Sequence, residues 1–229
     1  LVTGASRGIG RAIALELGRL GAIVVGTATS AAGAADIQAG LEAAGVAGRG
    51  LALDVTDVAA FRAAIDAREP FNVFVNNAGT NRPNPFTEVP VEDFDFVMDL
   101  NVRAAYFAAQ SVARRMIAGG IPGSIINMSS QMGHVGGANR SLYCASKWAM
   151  EGLSKAMAID LAPQGIRVNT LCPTFIETPM TRPFFENSAF KESVLSKIKL
   201  GRLGTVEDLM GAIVFLASDA SSLMTGSSL

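Results

Sequence analysis

The chain has 229 residues, 49% of them hydrophobic and 17% charged, which suits one large or two small α/β domains and can bury a substantial core. A formal charge of −1 excludes a basic nucleic-acid surface, and low charge with high apolar content excludes disorder. Mean hydropathy is high at +0.34, yet no run approaches the ~18 uninterrupted apolar residues of a spanning helix, so a membrane span is excluded as well.

Along the chain, short β-branched apolar runs alternate with longer stretches of helical spacing. Strands are predicted at Leu1–Thr3, Ile23–Gly26, Gly50–Leu53, Val73–Val75, Ile125–Met128 and Arg167–Leu171. Helices are predicted at Gly8–Leu20, Ala31–Ala44, Asp57–Ala67, Glu92–Ala118 and Ser141–Leu161. A last helix runs from Thr205, which with Asp208 resembles a capping box, to about Ser218. The alternation predicts an α/β fold, a doubly wound parallel sheet between two helical layers, read as one domain over 1–229. An Ala and Val excess spread along the chain fits strands covered on both faces. The segment Pro173–Leu200 breaks the rhythm with three prolines and Phe184, Phe185 and Phe190. It reads either as an irregular surface loop or as a substrate lid.

The opening Leu1-Val2-Thr3-Gly4 lacks both Met and an apolar leader, so no signal peptide is expected and the first residues read as missing. Cys144 and Cys172 cannot form a disulfide framework, which points to a reducing, cytoplasmic compartment.

The run Thr3-Gly4-Ala5-Ser6-Arg7-Gly8-Ile9-Gly10 lies where a predicted strand ends and a helix begins. Three glycines there allow a tight turn, close approach to a pyrophosphate, and close packing of helix on sheet. The helix N-terminus adds free N–H groups and positive dipole for phosphates. An acid about twenty residues further on would bind the ribose 2′-hydroxyl of NAD. That position is Ala28, in Gly26-Thr27-Ala28-Thr29-Ser30, and no acid lies between Glu16 and Asp36. NADP is therefore favoured over NAD, with Arg7 available for a 2′-phosphate and Thr29 on the same turn.

Tyr143 and Lys147 stand four apart on a predicted helix and so share a face. A neighbouring ammonium favours the phenolate, which suits the tyrosine to proton exchange with a carbonyl or an alcohol. Ser130 ends a predicted strand, at the edge where open α/β sheets bind ligands, and its hydroxyl can bond a substrate oxygen as charge develops.

The order Thr3-Gly4-x-x-x-Gly8-x-Gly10, Asn76-Asn77-Ala78-Gly79, Ser130 and Tyr143-x-x-x-Lys147 resembles the short-chain dehydrogenase/reductase family over essentially the whole chain. The resemblance implies a Rossmann-type fold and NAD(P)(H)-dependent interconversion of a carbonyl and a secondary alcohol. It implies Tyr143 as general acid/base, Ser130 as the group orienting the substrate oxygen, and Lys147 as the residue supporting the tyrosine and holding the nicotinamide ribose. Asn101 is implied as a fourth catalytic residue that fixes a proton-relay water. Asn76, Ala78 and Gly79 match the family's sheet-supporting and cofactor-contacting segment, and Asp54 and Val55 match adenine contacts. Pro173, Ile176 and Thr178 match contacts beside the nicotinamide, although Thr174 replaces the family's usual glycine. Family members also continue past Leu229 into a last strand, so that strand is expected to be truncated here.

Two substrate classes stay open. The turn Val25–Ser30 with Arg7 resembles 3-oxoacyl-(acyl-carrier-protein) reductases, whereas Asn76–Pro83 and Cys172–Pro183 resemble sugar, polyol and gluconate dehydrogenases. Gln131, Phe184 and Phe185 lie where the family shapes its substrate pocket. His134 reads as a loop wall, Cys144 and Cys172 as packed small residues. With one His, two distant Cys and no clustered carboxylates, no metal site is expected. A non-catalytic redox sensor or scaffold on the same fold is the alternative; its mark would be a lost catalytic residue, and Asn101, Ser130, Tyr143 and Lys147 are all present. The apolar helices Glu92–Ala118 and Ser141–Leu161 are expected to pair across subunits in a homotetramer, or in a dimer.

Overall fold

The computed structural model describes residues 1–229. Its strands are β1 (Val24–Ala28), β2 (Gly48–Ala52), β3 (Val73–Asn76), β4 (Gly123–Met128) and β5 (Ile166–Leu171). Its helices are α1 (Gly8–Arg19), α2 (Ala31–Ala43), α3 (Val58–Asp66), α4 (Val91–Met98), α5 (Ala105–Ala118), α6 (Ser141–Leu161), α7 (Ser188–Leu195) and α8 (Met210–Ala217). No helix is long and apolar enough to cross a membrane.

All strand pairings are parallel: β1 with β2, β3 with β4, and β4 with β5. The predicted strand Leu1–Thr3 lies at the centre: Val2 bridges Gly26 on one side and Val75 on the other, its amide donating to the Val25 carbonyl and its carbonyl accepting from the Thr27 amide. The Thr3 amide donates to the Val75 carbonyl and the Leu1 carbonyl accepts from the Val75 amide, so this short segment joins the two groups of strands into a sheet ordered β2, β1, Val2, β3, β4, β5. Strand order reverses at Val2, and ligands bind open α/β sheets outside the carboxyl ends at such a reversal. The edge beyond β5, where a truncated last strand is expected, carries the last residues of the chain. Ser228 pairs with Thr170, and the amides of Gly226 and Leu229 donate to the carbonyls of Val168 and Thr170.

Consecutive strand residues face opposite sides, and both sides are apolar. Leu1, Val25, Phe74 and Ile125 enter one core with α3, α5 and the end of α6. Their neighbours Val2, Val24, Val75 and Ile126 enter the other with α1, α2 and α8. Phe74 and Ile125 are fully buried, and burying each such side chain contributes about 1.5–3 kcal/mol. Covering on both faces accounts for the excess of Ala and Val.

Two predicted helices differ in form. Glu92–Ala118 is helical throughout, as expected, but not uniformly α: a wide π turn over Asp99–Ala104 lies between α4 and α5. Such turns sit mostly at functional positions, and this one carries Asn101. The helix expected from Thr205 opens as a short 3₁₀ turn at Glu207–Leu209 before α8. Asp208 supplies the reciprocal half of the capping box, accepting from the Thr205 amide at 2.8 Å.

Candidate active site

A cleft of about 390 Å³ opens at the carboxyl ends of β1, β3 and β4. One end is the glycine turn. Gly4 has φ +64° and Gly8 φ +55°, left-handed conformations that favour glycine. A Cβ on Gly10 would collide with the Gly4 carbonyl oxygen and the Asn77 amide. Asn77 fixes the turn, its Nδ2 donating to the carbonyls of Thr3 at 2.9 Å and Gly4 at 3.3 Å. The first turn of α1 has no side-chain cap, so its free N–H groups and dipole are open to anions. Ser6, Arg7, Gly8, Ile9, Ala28, Thr29 and Val55 line this end of the cleft. Three cations (Arg7, Arg140 and Lys147) and no carboxylate line the whole cleft. A phosphate-bearing dinucleotide fits those walls.

At the other end α6 presents Tyr143, Lys147 and Glu151 along one face, one turn apart. Tyr143 and Lys147 both line the cleft. Lys147 is buried without a carboxylate partner, its Nζ donating to the Met128 carbonyl at 2.8 Å and lying 5.5 Å from the Tyr143 ring centroid. Ser130 leaves the end of β4 in extended backbone. Its Oγ accepts from the Met132 amide at 3.1 Å and reaches the Pro173 carbonyl only at 3.5 Å. Its proton is therefore nearly free to be donated into the cleft. Gln131 lines the same wall, its amide bonded to the Pro173 carbonyl.

Asn101 does not line the cleft. Buried in the π turn, its Oδ1 accepts from the Thr80 amide at 2.8 Å, while its Nδ2 donates to the Thr80 carbonyl at 2.8 Å and Ser146 Oγ at 3.1 Å. It thus ties the segment after β3 to α6. Gly79 permits this approach, because a Cβ there would lie 3.3 Å from Asn101 Oδ1. Ala78 and Gly79 line the cleft, whereas Asn76 is buried behind them, donating to the Ala105 carbonyl and to Asn127 Oδ1. Asp54 is also off the wall: exposed, it turns into its own loop and accepts from the amide and hydroxyl of Thr56.

Pro173, Ile176 and Thr178 line the cleft. The segment that follows is neither wholly irregular nor detached. Its two ends are tied side by side by the Ile176–Gly204 bridge, and Thr178 lies against Gly8. Phe184 faces the cleft; Phe185 instead packs on Phe175 and Phe190 at centroid distances of 5.8 and 6.0 Å, inside the segment's own aromatic cluster. Beside Phe184, the Arg140 guanidinium lies 5.0 Å from the ring centroid and has no ion-pair partner. Arg140 follows Asn139, whose φ of +58° is the one left-handed value outside glycine. Arg140 also precedes Tyr143 by three residues at the entry to α6, a helical spacing that marks both for one wall.

Behind Ser130, three side chains that are distant in sequence converge. His134 Nε2 lies 3.3 Å from Cys172 Sγ, which lies 3.3 Å from Glu151 Oε1. The expectation that ligating side chains are scattered does not hold here, because β5 runs beside α6 and brings Cys172 to Glu151. Burial pushes the Cys172 thiol up, and the adjacent Glu151 carboxylate adds to it.

A family model described as enoyl-(acyl carrier protein) reductase matches residues 4–229. The 3-oxoacyl-(acyl-carrier-protein) reductase FabG of Pseudomonas aeruginosa is 43% identical, over 99% of this chain and 92% of the relative. D-erythrulose reductase of Gallus gallus is 41% identical, over 100% of this chain and 92% of the relative. A solved gluconate 5-dehydrogenase from Burkholderia cenocepacia J2315, in complex with NADP and tartrate, superposes with a TM-score of 0.95 at 35% identity, covering 99% of this chain and 90% of that one. With a glycine turn, a strand-end serine and a Tyr143–Lys147 face on one parallel sheet, the chain belongs to the short-chain dehydrogenase/reductase family and is an NAD(P)-dependent oxidoreductase of carbonyl and alcohol groups.

Proposed function

We propose that the chain, acting as one Rossmann domain over 1–229, uses NADP(H) in preference to NAD(H) to interconvert a hydroxy acid of the sugar-acid class and its oxo acid. The observation that carries the substrate class is Arg140, an unpaired guanidinium at the Tyr143 end of a cleft without carboxylates. A substrate carboxylate there would be bound by a charge-assisted, bidentate pair. Ala28 at the end of β1, with Arg7 and Thr29 beside it, supports NADP: nothing on that wall repels a 2′-phosphate.

Bound nicotinamide supplies the hydride acceptor or donor. The remaining steps belong to the chain. Ser130, its lone pair engaged by the Met132 amide, donates to the substrate oxygen. Tyr143 gives that oxygen a proton during reduction or takes one during oxidation. Lys147, anchored on Met128, keeps a positive charge beside the ring and holds the nicotinamide ribose. Asn101 holds Thr80 and Ser146 so that these groups keep their places.

The second reading is a 3-oxoacyl thioester, favoured by the sequence of the glycine turn and by the FabG relative. Cofactor absorbance at 340 nm separates the two when sugar acids, neutral polyols and an acetoacetyl thioester are compared. Arg140→Ala is expected to raise KM at least tenfold for the acids and to leave neutral substrates unchanged; an equal effect on both refutes the carboxylate role. Tyr143→Phe is expected to abolish turnover while NADP(H) still binds.

We further infer a homotetramer working in the cytoplasm. Phe94 on α4, Tyr106 on α5, and Trp148 and Ile159 on α6 expose apolar surface of the kind that subunit contacts cover.

A further inference from the structure

We propose that His134, Glu151 and Cys172 form a binding site for one divalent transition metal of the zinc type, set behind the catalytic serine. The three donor atoms are separated by 3.3 Å (Nε2 to Sγ), 3.3 Å (Sγ to Oε1) and 3.7 Å (Nε2 to Oε1). Zinc bonds of about 2.0–2.3 Å in tetrahedral geometry require donor separations of roughly 3.3–3.6 Å. The three atoms already stand on one triangular face of such a tetrahedron.

The surroundings are those of a built site. Glu151 Oε2 is engaged by Ser228 Oγ at 2.6 Å and Thr170 Oγ1 at 3.1 Å, which fixes the carboxylate and leaves Oε1 for the cluster. Outer hydrogen bonds of this kind orient the ligands of metal sites. Ser129, only 6% exposed, turns its Oγ towards Glu151 and Cys172 but meets no hydrogen-bond partner at bonding geometry. His134 is 44% exposed, so the fourth position opens to solvent and gives the ion an entry path. A set of one nitrogen, one oxygen and one sulfur donor selects zinc-like ions over magnesium or calcium. The ion takes Cys172 as thiolate, and the thiol proton leaves to solvent.

The three ligands come from the loop after Ser130, from α6 one turn beyond Lys147, and from the residue before Pro173. A bound ion would therefore clamp three walls of the cleft together without entering it.

The test uses the full metal-stripped chain titrated with Co²⁺ as a spectroscopic stand-in for zinc. A thiolate-to-cobalt charge-transfer absorption saturating at one ion per chain and reversed by Zn²⁺ is expected. Cys172→Ser should abolish the band, His134→Ala should weaken binding at least tenfold, and Cys144→Ala should leave it intact. Zn²⁺ should also raise the Tm of the wild type and not that of Cys172→Ser. No band at one equivalent, or a band that survives Cys172→Ser, overturns the site and leaves the three groups as a hydrogen-bonded cluster only. Neither result bears on turnover at Tyr143, so failure of the metal site is distinguishable from failure of the oxidoreductase reading.

Discussion

Replacing Asn101 with Ala tests the reading of that residue as the tie between the Thr80 segment and α6. The side chain is 2% exposed and makes three hydrogen bonds, to both backbone groups of Thr80 and to Ser146 Oγ. Each lost bond costs about 1 kcal/mol net, and more where a partner stays dry, so Asn101→Ala should lose about 3–4 kcal/mol. With about 2.1 cal/mol/K of unfolding entropy per residue over 229 residues, Tm should fall by about 6–8 °C. Ser146→Ala removes one of the three bonds and also the bond from Ser146 Oγ to the Tyr143 carbonyl, and should lose about 2 kcal/mol, or about 4 °C. The double variant should show a coupling of about 1 kcal/mol, since the shared bond is counted in both single changes. Differential scanning calorimetry gives the Tm values, and turnover at 340 nm gives the functional cost. If Asn101→Ala melts within 1 °C of the wild type, or no lower than Ser146→Ala, the tie is not what this side chain provides.

Ala28→Asp places a carboxylate at the end of the cleft that Arg7 also lines and should lower the NADP/NAD ratio of kcat/KM at least tenfold; an unchanged ratio refutes the 2′-phosphate reading. Gly10→Ala drives a methyl group into the Gly4 carbonyl and the Asn77 amide. Isothermal titration should then show NADP(H) binding weakened at least tenfold, and undiminished affinity would argue against that close contact. Light scattering should give a mass about four times 23.8 kDa, falling when Ile159→Glu charges the exposed face of α6. A monomer mass for the wild type refutes the assembly.

Much of this is legible in the sequence, because local pattern carries it. The parallel sheet follows from β-branched runs alternating with helical spacing, and the glycine turn from its place between strand and helix. Tyr143 and Lys147 declare a shared face by spacing alone. What stayed hidden depends on contacts distant in sequence. The strand Leu1–Thr3 is legible, but its central place depends on pairings of Val2 to Gly26 and Val75 that no local pattern reveals. Phe185 is indistinguishable from Phe184 in the sequence, and both lie near Phe190, yet only Phe184 also lines the cleft. His134 and Cys172 lie 38 positions apart, and only the packing of β5 beside α6 brings them into contact. Asp54 matches an adenine contact by position, while its bonds to the Thr56 amide and hydroxyl are a local fold that the resemblance does not announce.

The wide turn at Asp99–Ala104 holds one residue more than the rotation there requires. Val97 on α4, Ala104 in the turn, and Ala108 and Val112 on α5 are all fully or almost fully buried, with Asn101 turned towards Thr80 between them. A regular helix advances about 100° per residue, and a π turn advances less, spending an extra residue on the same rotation. Deleting one residue from the turn would therefore restore a regular ladder with α4 and α5 in nearly the same rotational phase. Val97 and Ala108 would keep their faces, whereas Asn101 would lose the displaced position from which it reaches Thr80. Elsewhere in a helix a one-residue deletion turns every side chain beyond it; here it should spare the core and break the tie.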